Sequence, residues 1–210
     1  MNEADSACAS GKYRVSDGQT TVCRECPAGY YCTSASSKPV MCSIGSYSLG
    51  GATTCTACAA GSMCPSIYHA SVTCPSGSYV SGASATYCTH CPPGYSCSTT
   101  AATACTAGTY ALGNSTSCAS CPEGYYCPST ETPPVKCPTG YYSAASATSC
   151  TICEFGSMCP TTFSTKKLTC PTDYYSADGW TSCVRCPMGA TCTSTSSEVT
   201  IVYVDVLPCA

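Results

Sequence analysis

The sequence predicts a small disulfide-rich β protein, an elongated tandem array of short hairpins in about six units of ~32 residues, with little helix and no central core. Three observations lead there. A cysteine motif returns at near-fixed spacing along most of the chain, 25 of 210 residues are cysteine, and Leu, Ile, Val and Phe together supply only 21. A fixed period marks a repeat architecture. So few apolar residues, at a net charge of only −3, belong to the disulfide-scaffold class rather than to disordered chains.

The elements follow in order. Residues 1–7 carry no repeat content and read as a flexible leader. Cys8 to Cys23 (CASGKYRVSDGQTTVC) reads as an opening hairpin. A Cys-x-x-Gly-x-(Tyr/Met) opening, in places degraded, then recurs at Cys26, Cys42, Cys58, Cys74, Cys91, Cys105, Cys121, Cys137, Cys153, Cys170 and Cys186. Short and long half-repeats alternate, and full units begin at Cys23, Cys55, Cys88, Cys118, Cys150 and Cys183. Cys23 and Cys118, Cys55 and Cys150, and Cys88 and Cys183 are each 95 positions apart, which divides the array into three-unit blocks over residues 8–104 and 105–198. Met63 and Met158 mark the same place in each block.

Within Cys-Pro-x-Gly-x-Tyr, proline presets a turn, glycine takes positive φ, and tyrosine starts a short extended arm. Tyr30/Tyr31, Tyr125/Tyr126, Tyr141/Tyr142 and Tyr174/Tyr175 point to opposite faces of such arms and serve as core substitutes, with a ligand-binding aromatic stripe as the competing reading. The Ser/Thr/Ala/Gly stretches Thr33–Ser37, Ser98–Thr103 and Ser143–Thr148 read as linkers. Helical periodicity is absent, and Pro and Gly recur too often for helices.

One non-crossing assignment gives every hairpin its own bridge. Its short pairs are Cys26–Cys32, Cys58–Cys64, Cys91–Cys97, Cys121–Cys127, Cys153–Cys159 and Cys186–Cys192. Its long pairs are Cys8–Cys23, Cys42–Cys55, Cys74–Cys88, Cys105–Cys118, Cys137–Cys150 and Cys170–Cys183, leaving Cys209 unpaired or intermolecular. The crossed alternative, Cys23–Cys32 with Cys26–Cys42 and so on, leaves Cys8 instead, and sequence alone does not choose between the two. The nested form is preferred because it completes the opening hairpin.

The last segment, residues 199–210, differs from the rest. Val199, Ile201, Val202, Tyr203, Val204, Val206 and Leu207 make it the one strongly β-forming run. It reads either as a terminal cap or as an exposed strand that pairs with another chain.

Several chemistries are set aside. Six Cys-x2-Cys pairs could ligate zinc in a cytosolic chain, but that would need about six separate sites and leaves the hairpin signals unexplained. A redox Cys-x2-Cys needs a βαβ context that is not visible. His69 and His90 lie in linkers with no nucleophile pattern nearby, and the acidic residues fall singly, so no enzyme, metal or cofactor is expected. Charge is scattered, which favours neither nucleic acid nor insertion into a membrane. Asn114-Ser115-Thr116 is a glycosylation sequon in a hairpin loop, so a glycan at Asn114 is expected. So many cysteines call for an oxidising compartment, which places the protein outside the cell or at its surface.

CPAGYYC, CPEGYYCPSTETPPVKCPTGYYS and SAASATSCTIC, between Cys26 and Cys153, resemble the ephrin-receptor-like cysteine-rich repeat, a relative in style of growth-factor-receptor and tumour-necrosis-factor-receptor modules. The resemblance runs from Cys8 to Cys192. It implies an elongated extracellular rod, and it supports a bridge from each Cys-x-x-Gly-x-Tyr to the first cysteine of the next Cys-x2-Cys. Large arrays of this type also occur in protist surface coats and antigens. Cys153-Glu154-Phe155-Gly156, Cys170-Pro171-Thr172-Asp173 and Cys186-Pro187-Met188-Gly189 depart from the pattern. The expected function is mechanical: a protomer that self-associates head-to-tail into a fibre, appendage or surface coat, with a ligand-binding receptor ectodomain or surface antigen as the alternative.

Overall fold

The structure is a computed structural model that describes residues 8–16, 18–33, 38–160, 166–188, 190–192 and 200–201. The leader and most of the terminal run, including Val199, Val202, Tyr203, Val204, Val206, Leu207 and Cys209, lie outside these residues. Among them there is no helix, and every sheet is a two-stranded antiparallel hairpin made from strands consecutive in the chain. The first hairpin pairs β1 (Lys12–Ser16) with β2 (Thr21–Glu25) over five residues. The next, β3 (Tyr30–Tyr31) with β4 (Val40–Met41), is two residues long and typical of the others.

Twelve disulfides join the described cysteines in the nested order, from Cys8–Cys23 and Cys26–Cys32 to Cys170–Cys183 and Cys186–Cys192. No pair is crossed. Among the described residues, every buried apolar residue apart from Val80 and Ala111 is a cysteine. The described interior is therefore made largely of sulfur, and each bridge contributes about 2–4 kcal/mol by constraining the unfolded chain.

The turn at each opening explains the spacing of the motif. The residue after the opening cysteine accepts a backbone hydrogen bond from the residue three further on, as Pro27 does from Tyr30 and Ser43 from Ser46. The glycine between them, Gly29 or Gly45, has φ near +80° (81° and 85°), the third-position signature of a type II turn. Proline thus stands at the first place of the turn, where its fixed φ is not needed, and Ser43, Ala59, Thr106 and Glu154 replace it there. Glycine, not proline, determines the turn.

By internal contacts the chain forms two compact units. One comprises Met1–Pro92, Ser96–Thr103 and Gly113–Ser117, and the other comprises Pro93–Tyr95, Ala104–Leu112 and Cys118–Ala210. Each is built by the same rule. The left-handed residue of one opening turns its carbonyl toward the next opening, whose cysteine N–H donates to it. In the first unit Cys26 donates to Gly11, Cys42 to Gly29, Cys58 to Gly45, Cys74 to Gly61 and Cys91 to Gly77, at 2.8–3.0 Å. In the second the bond recurs from Cys105 to Gly94 through to Cys186 to Asp173, at 2.8–3.0 Å.

Candidate functional site

The feature that recurs most closely is a docking site between hairpins. In each long hairpin after the first, the fourth residue before the closing cysteine is left-handed: Gly51 (φ 62°), Ser84 (64°), Asn114 (51°), Ser146 (61°) and Gly179 (75°). Its N–H donates back to the opening cysteine of the preceding short hairpin, so Cys26, Cys58, Cys91, Cys121 and Cys153 accept at 2.7–2.9 Å. Its carbonyl then lies over the turn glycine of the preceding long hairpin. A Cβ on Gly11, Gly45, Gly77, Gly108 or Gly140 would lie 2.0–2.3 Å from that oxygen. Real atoms do not approach so closely, so the docking requires glycine.

A second set of bonds fixes the same loops. Gly29, Gly61, Gly94, Gly124 and Gly156 donate to Ser48, Val80, Ala111, Ser143 and Ser176. At three of these places the side chain adds a bond: Ser48 Oγ donates to Tyr30 O, Ser143 Oγ to Tyr125 O and Ser176 Oγ to Ser157 O, all at 2.7 Å. Val80 and Ala111 fill the same place with apolar groups. The stretches read from sequence as linkers are therefore parts of the docking surface. Thr99 accepts from Val80, and Ser143, Ser146 and Ala147 bond Gly124, Cys121 and Cys127. For Thr33–Ser37 only Thr33 is described.

The sixth long hairpin departs from this rule. Asp173 occupies the turn position at φ 64°, where the other long hairpins have glycine. Its carbonyl still serves Cys186 at 2.8 Å. The last short hairpin pairs Ala190 with Ile201 and Thr191 with Thr200, in the register of Tyr30 with Met41 and Tyr31 with Val40. Cys42 follows Met41, whereas Val202 follows Ile201. The terminal run thus begins as the second strand of that hairpin, in the place of the segment before an opening cysteine.

The polar candidates lie apart from one another. His90 Nδ1 is 3.3 Å from Ser78 Oγ and His69 Nδ1 is 3.4 Å from Ser66 Oγ. No group of three His, Cys, Asp or Glu among the described residues could hold a metal ion. Glu154 and Lys167 form an exposed ion pair whose hydrogen bond holds the glutamate below the usual carboxylate range and raises the lysine. Asn114 is exposed at a loop tip, as is Thr116, and the left-handed backbone there is one that asparagine tolerates well. The Tyr30/Tyr31, Tyr125/Tyr126, Tyr141/Tyr142 and Tyr174/Tyr175 pairs each form the first strand of a hairpin, half-buried except for exposed Tyr174. An open hollow of about 450 Å³ lies along the loop from Tyr79 to Thr89, beside Tyr87, which is 72% exposed.

No protein-family model and no curated protein sequence matches the chain. No helix among the described residues is long and apolar enough to cross a membrane.

Proposed function

We propose that the chain is an extracellular structural repeat protein, a protomer that stacks head-to-tail into a fibre, appendage or surface coat. The observation that carries this reading is the docking rule. In both units, loop after loop is committed to its neighbours through backbone bonds at 2.7–3.2 Å, and side chains are hardly used. Such an array gains stability from each added module, which suits a mechanical element. Bridges of this number persist in oxidising surroundings, which supports a place outside the cell, and a glycan at Asn114 would project from an exposed loop tip.

The competing reading is a ligand-binding ectodomain or surface antigen. The hollow beside Tyr87 supports it, because the Cys74–Cys88 loop that forms it is one residue longer than the later long hairpins.

Electron microscopy and sedimentation of native, unreduced protein separate the two readings. Filaments or concentration-dependent oligomers are expected. A species that stays monomeric at every concentration overturns the head-to-tail reading.

A further inference from the structure

We propose that the hollow on the Cys74–Cys88 loop binds a neutral pyranose sugar, laid on the exposed face of Tyr87. The proposal goes beyond head-to-tail stacking and does not rest on it, since the site lies within one loop of one chain.

The hollow exists because of one inserted residue. In the long hairpins after the first, two residues hold the loop to the preceding short hairpin: one accepts from the turn glycine, and the other, left-handed, donates to the opening cysteine. Elsewhere they stand three positions apart, as Ser48 and Gly51, Ser143 and Ser146, or Ser176 and Gly179 do. Val80 and Ser84 make the same two bonds from four positions apart, so the extra residue falls within Ser81–Ala83. With both ends fixed, the added length bows outward: residues 81–84 are exposed, and the hollow of about 450 Å³ opens beside them. The frame is well held, with Val80 donating to Thr99 at 2.9 Å and Ala85 accepting from Cys64 at 2.8 Å. A ligand therefore meets a preformed surface, and little ordering is lost on binding.

The lining selects the ligand. None of the residues around the hollow carries a charge, so nothing in it pairs with an ionic group and a neutral ligand is favoured. Ser81, Ser84, Thr86, Tyr87 and Thr89 line it, and among the described residues none bonds their side-chain hydroxyls. By contrast, Ser48, Ser143 and Ser176 spend theirs on backbone carbonyls. Each uncommitted hydroxyl can both donate and accept, which is what the ring hydroxyls of a sugar require. Gly82 leaves room, since a Cβ there would meet nothing within 4 Å. Tyr87, 72% exposed, supplies a broad apolar face with a polar tip in water. The C–H face of a pyranose stacks on such a ring while its hydroxyls point outward to hydrogen-bond. A purely apolar ligand would gain little from a hollow so open and so polar.

NMR titration of the full, unreduced chain tests the site. The probes are the methyl glycosides of glucose, galactose, mannose and N-acetylglucosamine, which stand for a single sugar, and their disaccharides, which stand for a glycan chain. At least one is expected to shift the Tyr87 ring protons saturably, with millimolar affinity for a single ring. Tyr87→Ala is expected to weaken that binding about tenfold, and Tyr87→Phe to keep most of it, because stacking needs the ring rather than its hydroxyl. Thr86→Val keeps the shape, removes a hydroxyl and is expected to weaken binding several-fold. Protection of the Ser84 N–H verifies in each variant that the loop stays docked. A wild-type chain that none of these probes shifts overturns the sugar site and leaves head-to-tail stacking standing. Binding by Tyr87→Ala equal to the wild type also overturns it. Should Tyr87→Ala undock the loop, Thr86→Val decides, and wild-type binding by that variant overturns the site.

Discussion

The carbonyl oxygen of Gly179 lies where a Cβ on Gly140 would have to be: 2.1 Å separates the two positions. The N–H of Gly179 meanwhile donates to Cys153 at 2.7 Å. One left-handed residue is thus held from both sides, by a bond to the short hairpin and by contact with a bare Cα in the long one. This arrangement couples each module to two predecessors and gives the array its repeat length.

Gly140→Ala is therefore expected to undock the Cys170–Cys183 loop. The residue is left-handed at φ 83°, where a side chain alone costs about 1–2 kcal/mol, and the clash displaces a backbone oxygen that no rotamer can move aside. Amide exchange measures the outcome: the Gly179 and Trp180 N–H groups should exchange at least tenfold faster, with the twelve bridges intact. Unchanged protection would show that the loop does not depend on this contact.

Asp173→Gly should behave in the opposite way. No described loop covers residue 173, and its φ of 64° is unfavourable for aspartate. Glycine relieves that strain by about 1 kcal/mol, partly offset by its larger freedom in the unfolded chain. Thermal unfolding is expected to rise slightly or stay level. A fall of several degrees would mean that the aspartate side chain makes a contact of its own.

The repeat and the hairpins were legible because they depend on local spacing, whereas nested and crossed bridges fit that spacing equally and the nested order was only the preferred one. The glycine of Cys-x-x-Gly and the distance from Cys42 to Cys55 define a turn and a loop before any tertiary structure is known. The docking was not legible, because its chemistry is almost wholly backbone. Ser84, Asn114, Ser146 and Gly51 share a conformation and a hydrogen bond but no side-chain type, so no motif links them. A signal was present nonetheless: each lies four residues before a closing cysteine. Asp173, which reads as decay of the motif, holds the same left-handed turn as the glycines it replaces.

Ser176 offers a test of how much the side chains add. It is fully buried, and its hydroxyl donates to Ser157 O at 2.7 Å. Ser176→Ala leaves that carbonyl without its hydroxyl partner and should cost about 1 kcal/mol, the net worth of a typical hydrogen bond. Ala111 fills the corresponding place in an earlier module without such a bond, so the variant should still fold. Denaturant unfolding with an unchanged slope and a lowered midpoint would bear this out. A loss several times larger would make the bond part of a cooperative network.

The Glu154–Lys167 pair gives a pH dependence whose sign follows from its two partners. The lysine hydrogen bond and charge lower the glutamate's folded pKa, so its contribution is present above the unfolded value and disappears as pH falls through the folded one. The glutamate raises the lysine's folded pKa, so that contribution is present below the unfolded value and is lost as pH rises through the folded one. Both groups are exposed, which limits the effect. NMR titration should find Glu154 below the ordinary range, and Lys167→Ala should return it there. A midpoint that ignores the substitution would show that the pair does not persist in solution.

Reduction addresses the whole design. Two-residue strands cannot sustain isolated hairpins in water, and among the described residues the buried apolar groups beyond Val80 and Ala111 are the cysteines themselves. Opening the bridges removes the loop constraints and, with them, most of the described core. A strong thiol reductant without denaturant is therefore expected to abolish the folded circular-dichroism signal and the slow amide exchange together, and non-reducing gels should show a more expanded chain once the thiols are capped. Five of the short bridges, Cys26–Cys32, Cys58–Cys64, Cys91–Cys97, Cys121–Cys127 and Cys153–Cys159, have both cysteines buried, whereas Cys186–Cys192 and Cys105–Cys118 bury neither and the other long bridges bury only the opening cysteine. The long bridges and Cys186–Cys192 should therefore reduce first. Uniform reduction, or a reduced chain that keeps its exchange protection, would mean that something other than sulfur holds the modules in place.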